Sequence, residues 1–193
     1  MRIRPEPMDD FDLFLRRVKD GVERGALTQQ EAAHYVGEDV ARRLQCASAT
    51  LWTIGGPPGL RVLTRAGGFD AMMKMPLAEP LQLTLAGASA WHDALSRDGV
   101  FTTADAQGDS RLGIACAAMV GSRRVRGLLQ AAIGAGAAPR GVVSCTRVDA
   151  ARPWTPDETA QLRCIAAALS TPREPAPPAD AAPAAAPVSR AST

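Results

Sequence analysis

Apolar residues recur at helical spacing from Asp10 to Glu23, where Phe11, Phe14, Leu15, Val18 and Val22 share one face. Asp9 or Asp10 can cap the start of this helix and Gly25 can close its end. A second helix opens at Thr28-Gln29-Gln30-Glu31, a capping box in which Thr28 and Glu31 satisfy each other's end amides. Its stripe is Ala33, Val36, Val40 and Leu44, with Arg42 and Arg43 off it. Short amphipathic helices are not stable alone. These two must pack on the rest of the chain, on each other, or on a second copy.

The period then changes. Residues 49–54 (ATLWTI) read as a strand, Gly55-Gly56-Pro57-Pro58-Gly59 as a turn, and residues 60–65 (LRVLTR) as an alternating return strand. Residues 66–88 carry three methionines and two prolines, with a possible strand at 81–85. Ser89 caps a short helix through Arg97 that carries Trp91 and Leu95 inward and stops at Gly99. A short strand at 100–103 and a short helix over 111–119 follow. Two further strands, 127–133 and 141–148, are joined by the Gly-rich GAGAAPR. Thr155-Pro156-Asp157-Glu158 then starts a last helix, with Thr155 as cap, Pro156 at the first helical position and Glu158 closing the box. That helix buries Leu162, Ile165, Ala166 and Leu169. Strands joined by short turns favour antiparallel pairing, so the pattern predicts an α+β domain around an antiparallel sheet.

Composition sets the limits. The 193 residues, 46% apolar and 22% charged, suit one domain with extensions. We divide them into an N-terminal helical extension (1–26), a globular domain (27–170) and a disordered Pro/Ala-rich tail (171–193), whose composition buries too little to offset ordering entropy. No apolar run reaches the ~20 residues that span a bilayer, and the N-terminus has no secretory h-region. The expectation is a soluble, cytoplasmic chain with no membrane partner. A net charge of +2 is too small to predict a nucleic-acid partner. Cys46, Cys116, Cys145 and Cys164 form no CxxC pair and lie far from His34 and His92, so neither a metal nor a disulfide framework is expected.

Three groups of residues carry a family resemblance. Arg140-Gly141-Val142-Val143, followed by Arg152-Pro153-Trp154-Thr155-Pro156-Asp157-Glu158, is similar to a glycine-led strand, a loop, an aromatic and a capped last helix. Trp91 to Leu95, then Val100-Phe101 and Asp105-Ala106-Gln107-Gly108-Asp109-Ser110-Arg111, is similar to an aromatic helix, a short strand and a D-A-x-x-D-x-R loop. The third is the helix ending ARRLQCA that runs into ATLWTI. In this order, over about Thr28 to Ser170, they resemble the GAF domain, a small-molecule sensor module of bacterial signalling proteins. The resemblance implies a GAF/PAS-like antiparallel sheet with the terminal helices on one face and short helices and loops over the other. On this reading residues 66–85 and 103–120 roof a pocket.

The candidate pocket residues are Met73, Met75, Trp91, Phe101, Asp105, Asp109, Arg111, Cys116 and Met119. Each has a plainer reading beside the functional one. The methionines can repack around a ligand or merely fill an irregular core. Trp91 can stack on a ligand or anchor the core, and His92 next to it faces solvent. Asp105, Asp109 and Arg111 can hold a polar ligand, or form turns and a cap with Arg111 paired to one of the acids. Arg123, Arg124 and Arg126 read as a solvated face, and the Gly134–Gly141 segment as a hairpin turn without the GK[ST] of a phosphate loop.

The residues also bear on specialised activities. Cys116 is followed by Ala117, not the histidine of bilin-binding relatives, and Thr146-Arg147 replaces the Asn-Lys of cyclic-nucleotide binders. Ile114-Ala115-Cys116 echoes the cysteine segment of free methionine sulfoxide reductases, but the glycine-flanked cysteine of that group is replaced by LTLAGASAW. The expected function is therefore a non-catalytic sensor or regulator with no resident cofactor, binding a small molecule or a signalling partner. The alternatives are a free methionine-(R)-sulfoxide reductase and a ligand-free dimerisation scaffold. A homodimer is expected, with Phe11, Phe14, Leu15 and Val18 as its interface.

Overall fold

The computed structural model describes residues 8–57, 60–78, 80–86, 90–112, 125–134, 139–148 and 152–170. Two helices come first, α1 (Met8–Glu23) and α2 (Gln29–Leu44). They are followed by strands β1 (Ser48–Gly55), β2 (Leu60–Asp70), β3 (Met75–Pro76) and β4 (Gln82–Ala86). Helix α3 (Ala90–Asp98), strand β5 (Val100–Thr103) and a 3-10 turn (Ser110–Leu112) come next. Strands β6 (Val125–Ile133) and β7 (Gly141–Val148) lead to α4 (Pro156–Ser170). The tail assigned to 171–193 and most of the helix expected over 111–119 lie outside the described residues.

Among the described residues the strands form one antiparallel sheet in the order β3-β2-β1-β7-β6-β5, with β4 also paired to β2. β1 and β7 are central, so chain segments almost a hundred residues apart are neighbours. Their pairing runs from Ser48 opposite Thr146 to Thr53 opposite Gly141.

Each face of the sheet has its own core. On the helix side, α2 packs on β1 and β2, α4 packs on β6 and β7, and α1 lies outside, bridging α2 and α4. Ala49, Leu129, Ala131, Val143 and Cys145 point up from the strands to meet Val36, Val40, Leu44, Leu162 and Ile165. On the roof side, Trp52, Leu63, Leu128 and Val142 meet Trp91 and Leu95 of α3, with Phe101 and Leu112. Strand alternation thus divides one sequence between two cores.

Capping boxes start both flanking helices. The Thr28 hydroxyl accepts from the Glu31 amide at 3.1 Å and the Glu31 carboxylate accepts from the Thr28 amide at 2.8 Å. Thr155 and Glu158 repeat the arrangement at α4, with the Thr155 amide donating at 2.9 Å. The Glu158 carboxylate also accepts from Arg147 and Arg152. Desolvation raises its pKa, but the Thr155 amide and the two guanidiniums outweigh this and hold it below the usual carboxylate range.

The structure corrects three expectations. Phe11, Leu15 and Val18 are buried within the chain against the helix-side core, and Phe14 is half-buried beside them. These residues seat α1 and do not present a free face to a second copy. Arg43, placed off the stripe of α2, is buried: its guanidinium bonds Asp39 and sits over the Phe11 ring, tying α1 to α2. Finally, residues 66–85 are not a roof. β2 runs on to Asp70 past a bulge at Leu51/Trp52, and β4 lies at the sheet edge.

α2 crosses the extended part of β2 closely. A Cβ on Gly37 would lie 2.9 Å from Gly68 Cα and Phe69 N and 3.0 Å from Ala49 O. A Cβ on Gly68 would lie 2.4 Å from Ala49 O. Glycine at 37 lets α2 rest on the β2 backbone, and glycine at 68 lets β2 close on β1. Gly37→Ala is therefore expected to destabilise the fold. Overpacking costs about 1–3 kcal/mol, and the gain in helix propensity, about 1 kcal/mol, does not offset it because the neighbours are backbone atoms. A urea midpoint above that of the parent would contradict the close crossing.

Candidate functional site

The roof face of the sheet carries a transverse row of polar residues. Thr50 stands opposite Ser144, Ser144 opposite Gln130, and Gln130 opposite Phe101. All of the polar members are buried, Gln130 completely. Burying such groups is costly unless they are hydrogen-bonded, and here they bond to one another and to two indoles. Trp91 Nε1 donates to Gln130 Oε1 at 2.5 Å, and Gln130 Nε2 donates to Ser144 Oγ at 3.1 Å. Trp52 Nε1 donates to Thr50 Oγ1 at 2.9 Å. One row further, the hydroxyls of Ser48 and Thr146 share a hydrogen bond of 2.6 Å.

Local sequence explains the arrangement. α3 is short and buries only Trp91 and Leu95, so its seat depends on those two side chains. The fully buried indole places its one donor onto the one amide that β6 directs upward. Sequence reading missed Thr50, Gln130, Ser144 and Thr146 as site residues. The signal was present, because LLQAAI and VVSCTRV put polar groups at inward positions of otherwise apolar strands.

Of the residues expected to line a pocket, Trp91 and Phe101 are brought together in the roof-side core. Asp109 and Arg111 meet at its rim, beside a groove of about 460 Å³ between α3, β5 and the 3-10 turn. Arg111 bonds the Asp109 carboxylate and the Thr102 carbonyl, and its guanidinium lies 4.8 Å from the centre of the Phe101 ring. Asp109 also accepts from the Arg111 amide at 3.0 Å, and Asp105 pairs with Arg126 at 3.1 Å. Each of these charged side chains thus has a partner within the protein.

Met73 and Met75 stand apart from this group. They are 64% and 48% exposed, Met73 in the β2–β3 turn, whose amides at Met72 and Met73 are held by the buried Asp70 carboxylate, and Met75 in β3. Neither lines the roof-side core. Cys116 and Met119 lie outside the described residues. The described cysteines are elsewhere: Cys46 and Cys145 belong to the helix-side core, and Cys164 is exposed on α4.

The rim has a pH signature. Hydrogen bonds from the Arg111 guanidinium, opposed by desolvation, hold the Asp109 carboxyl at about 2, below the ordinary aspartate value. The same carboxylate raises the Arg111 pKa. Because the folded pKa of Asp109 is the lower one, its contribution is complete above about pH 4, the unfolded value, and fades as pH falls to about 2. Asp109→Asn is expected to flatten that part of the acid dependence of the urea midpoint. Parallel curves for variant and parent would contradict the pairing.

No family model matches the chain, and no curated protein matches it in sequence. Solved structures do match in shape. The GAF domain of a phosphoenolpyruvate-protein phosphotransferase from Coxiella burnetii is 16% identical with a TM-score of 0.54, over 81% of this chain and 88% of its own. The phycoerythrobilin-bound GAF domain of a cyanobacterial phytochrome is 13% identical with a TM-score of 0.60, over 88% and 94%. The chain has a GAF fold. An Acinetobacter phosphotransferase GAF domain agrees, at 11% identity and a TM-score of 0.57 over 86% and 92%. At these identities the likeness concerns the fold alone. Among the described residues, no helix of this GAF fold is long and apolar enough to cross a membrane, and no cluster of three or more His, Cys, Asp or Glu could hold a metal ion.

Proposed function

We propose that the chain is a non-catalytic sensory or regulatory module that holds a small molecule on the roof side of its sheet. The observation that carries this reading is the buried row Thr50–Ser144–Gln130 beneath Trp91. It sets a few oriented polar groups in apolar surroundings, the usual chemistry of a small-molecule site. Support comes also from Leu112 and Val125, which flank the 113–124 segment and are both buried in the roof-side core. Two of the structural neighbours are bound to phycoerythrobilin or phycocyanobilin, so the fold accommodates a ligand in those proteins. A covalent bilin is not proposed here, since Ala117 follows Cys116. The proposal places the module in the bacterial cytoplasm, with its output passed to a signalling partner or a second copy.

Native mass spectrometry of the purified chain, looking for a retained small molecule, tests the reading. A thermal-shift panel of metabolites and cyclic nucleotides accompanies it. Ligand at a hundred times its dissociation constant stabilises by ~2.7 kcal/mol, and Ser144→Ala is expected to weaken that response. An equal response in the variant would contradict the site.

The two indole bonds favour a second reading, a ligand-free scaffold in which Trp52 and Trp91 themselves complete the row. A panel without any shift would favour it. Sulfoxide reduction would have to rest on Cys116, and turnover in a thioredoxin-coupled assay, lost in Cys116→Ser, would overturn the non-catalytic reading.

A further inference from the structure

We propose that the groove between α2 and the β2–β3 turn is a second binding site, for a small aromatic carboxylate whose charge meets Lys74 and Arg42 and whose ring lies on Phe69. This inference is independent of the roof-side reading, because α2 and Phe69 pack on the opposite face of the sheet.

The groove holds about 610 Å³, a volume typical of small-molecule sites. One wall is α2, where His34, Glu38, Arg42 and Gln45 follow at spacings of three or four residues and so share a face. The other wall is the segment from Phe69 to Pro76, which local bonds fix in place. The Ala71 amide donates to the Ala47 carbonyl at 3.0 Å and the Leu77 amide to the Gly68 carbonyl at 2.9 Å. The buried Asp70 carboxylate accepts from the Met72 and Met73 amides, each at 3.0 Å. Between these anchors Lys74 is held at φ 52°, a left-handed conformation that a side chain disfavours. Such strain persists only where the surroundings impose it, and it clusters at ligand clamps. Here it sets a lysine at the groove, where the backbone itself would favour glycine.

Charge decides the class of ligand. Lys74 makes no ion pair with a described residue. Arg42, bonded to Asp39 at 2.6 Å, adds a cation from the α2 wall, against Glu38 as the acid among the lining residues. The balance is positive and favours a singly charged anion. The apolar surface is largely aromatic: the Phe69 ring lies 5.4 Å from the His34 imidazole, and Ala71 and Pro76 continue it. His34 Nδ1 is shielded from solvent without a hydrogen-bond partner among the described residues, an unsatisfied atom that calls for a further partner. A carboxylate on a planar ring matches both the charge and the surface.

Titration of the nitrogen-15-labelled full chain with benzoate, at constant ionic strength against chloride, tests the site. The amides of Gln45, Phe69 and Ala71 are expected to shift saturably while the Trp52 and Trp91 indole signals stay in place. Lys74→Gly suits the left-handed backbone and so keeps the fold. It is expected to weaken binding about tenfold by loss of the ammonium, whereas Lys74→Arg keeps the charge and the affinity. Benzamidine, the same ring with a positive charge, is expected to leave the three amides unmoved. The absence of a saturable benzoate shift, equal affinity in Lys74→Gly, or shifts as large with benzamidine would each overturn the proposal.

Discussion

Replacing Trp91 with alanine is expected to lower unfolding free energy by about 3–5 kcal/mol from lost burial and the resulting cavity. Depriving the buried Gln130 oxygen of its indole donor adds about 1–3 kcal/mol. Trp91 is wholly buried and, with Leu95, is one of the two side chains that α3 buries, Ala94 adding only a partly buried contact. The loss should also be local. α3 and β5 should exchange amide protons faster, while α2 and α4, seated on the other face, keep their protection. Trp91→Phe separates the two contributions, because it keeps most of the ring and removes the donor. Equal stability of Trp91→Phe and the parent would mean that the indole–amide bond contributes nothing.

Phe11→Ala is expected to cost about 3–5 kcal/mol through a different core. Its ring is fully buried, packs 6.1 Å from that of Phe14, and carries the Arg43 guanidinium 5.4 Å above it. The sequence alone suggested that this face belonged to a second copy, and the two cases separate in the urea midpoint. A ring buried within one chain gives the same destabilisation at every protein concentration. A ring buried between chains gives a midpoint that climbs with concentration, by mass action. The structure predicts the first outcome; concentration dependence abolished by Phe11→Ala would restore the dimer surface.

Local signals explain which elements were legible. Both capping boxes, the helix stripes and the β1–β2 and β6–β7 hairpins are written in adjacent residues, and each stands where the spacing put it. What failed depended on distant partners. Gly67-Gly68 reads locally as a break, yet both continue β2, opposite Leu51 and Thr50 of β1, and α2 crosses there through Gly37. With β2 read as ending at Arg65, the methionine turn was assigned to the wrong side of the sheet. Arg43 looked like solvent-facing charge because its partners, Asp39 and the Phe11 ring, meet it only after α1 folds over α2. In the site, Trp91 and Phe101 were legible as inward aromatics. The row Thr50–Ser144–Gln130 was not, because strand order alone sets those residues side by side.

The three tryptophans permit the most direct test of a roof-side binding site. Trp52 and Trp91 lie in the roof-side core, whereas Trp154 is stacked under Arg147 in the helix-side core. Their indole N–H signals in a nitrogen-15 correlation spectrum are reporters for opposite faces of one sheet. Titration with whichever metabolite native mass spectrometry finds retained, or with the thermal-shift panel, is predicted to move the Trp91 and Trp52 signals and leave Trp154 in place. Movement of Trp154 alone, or three unmoved signals at saturating ligand, would contradict the account.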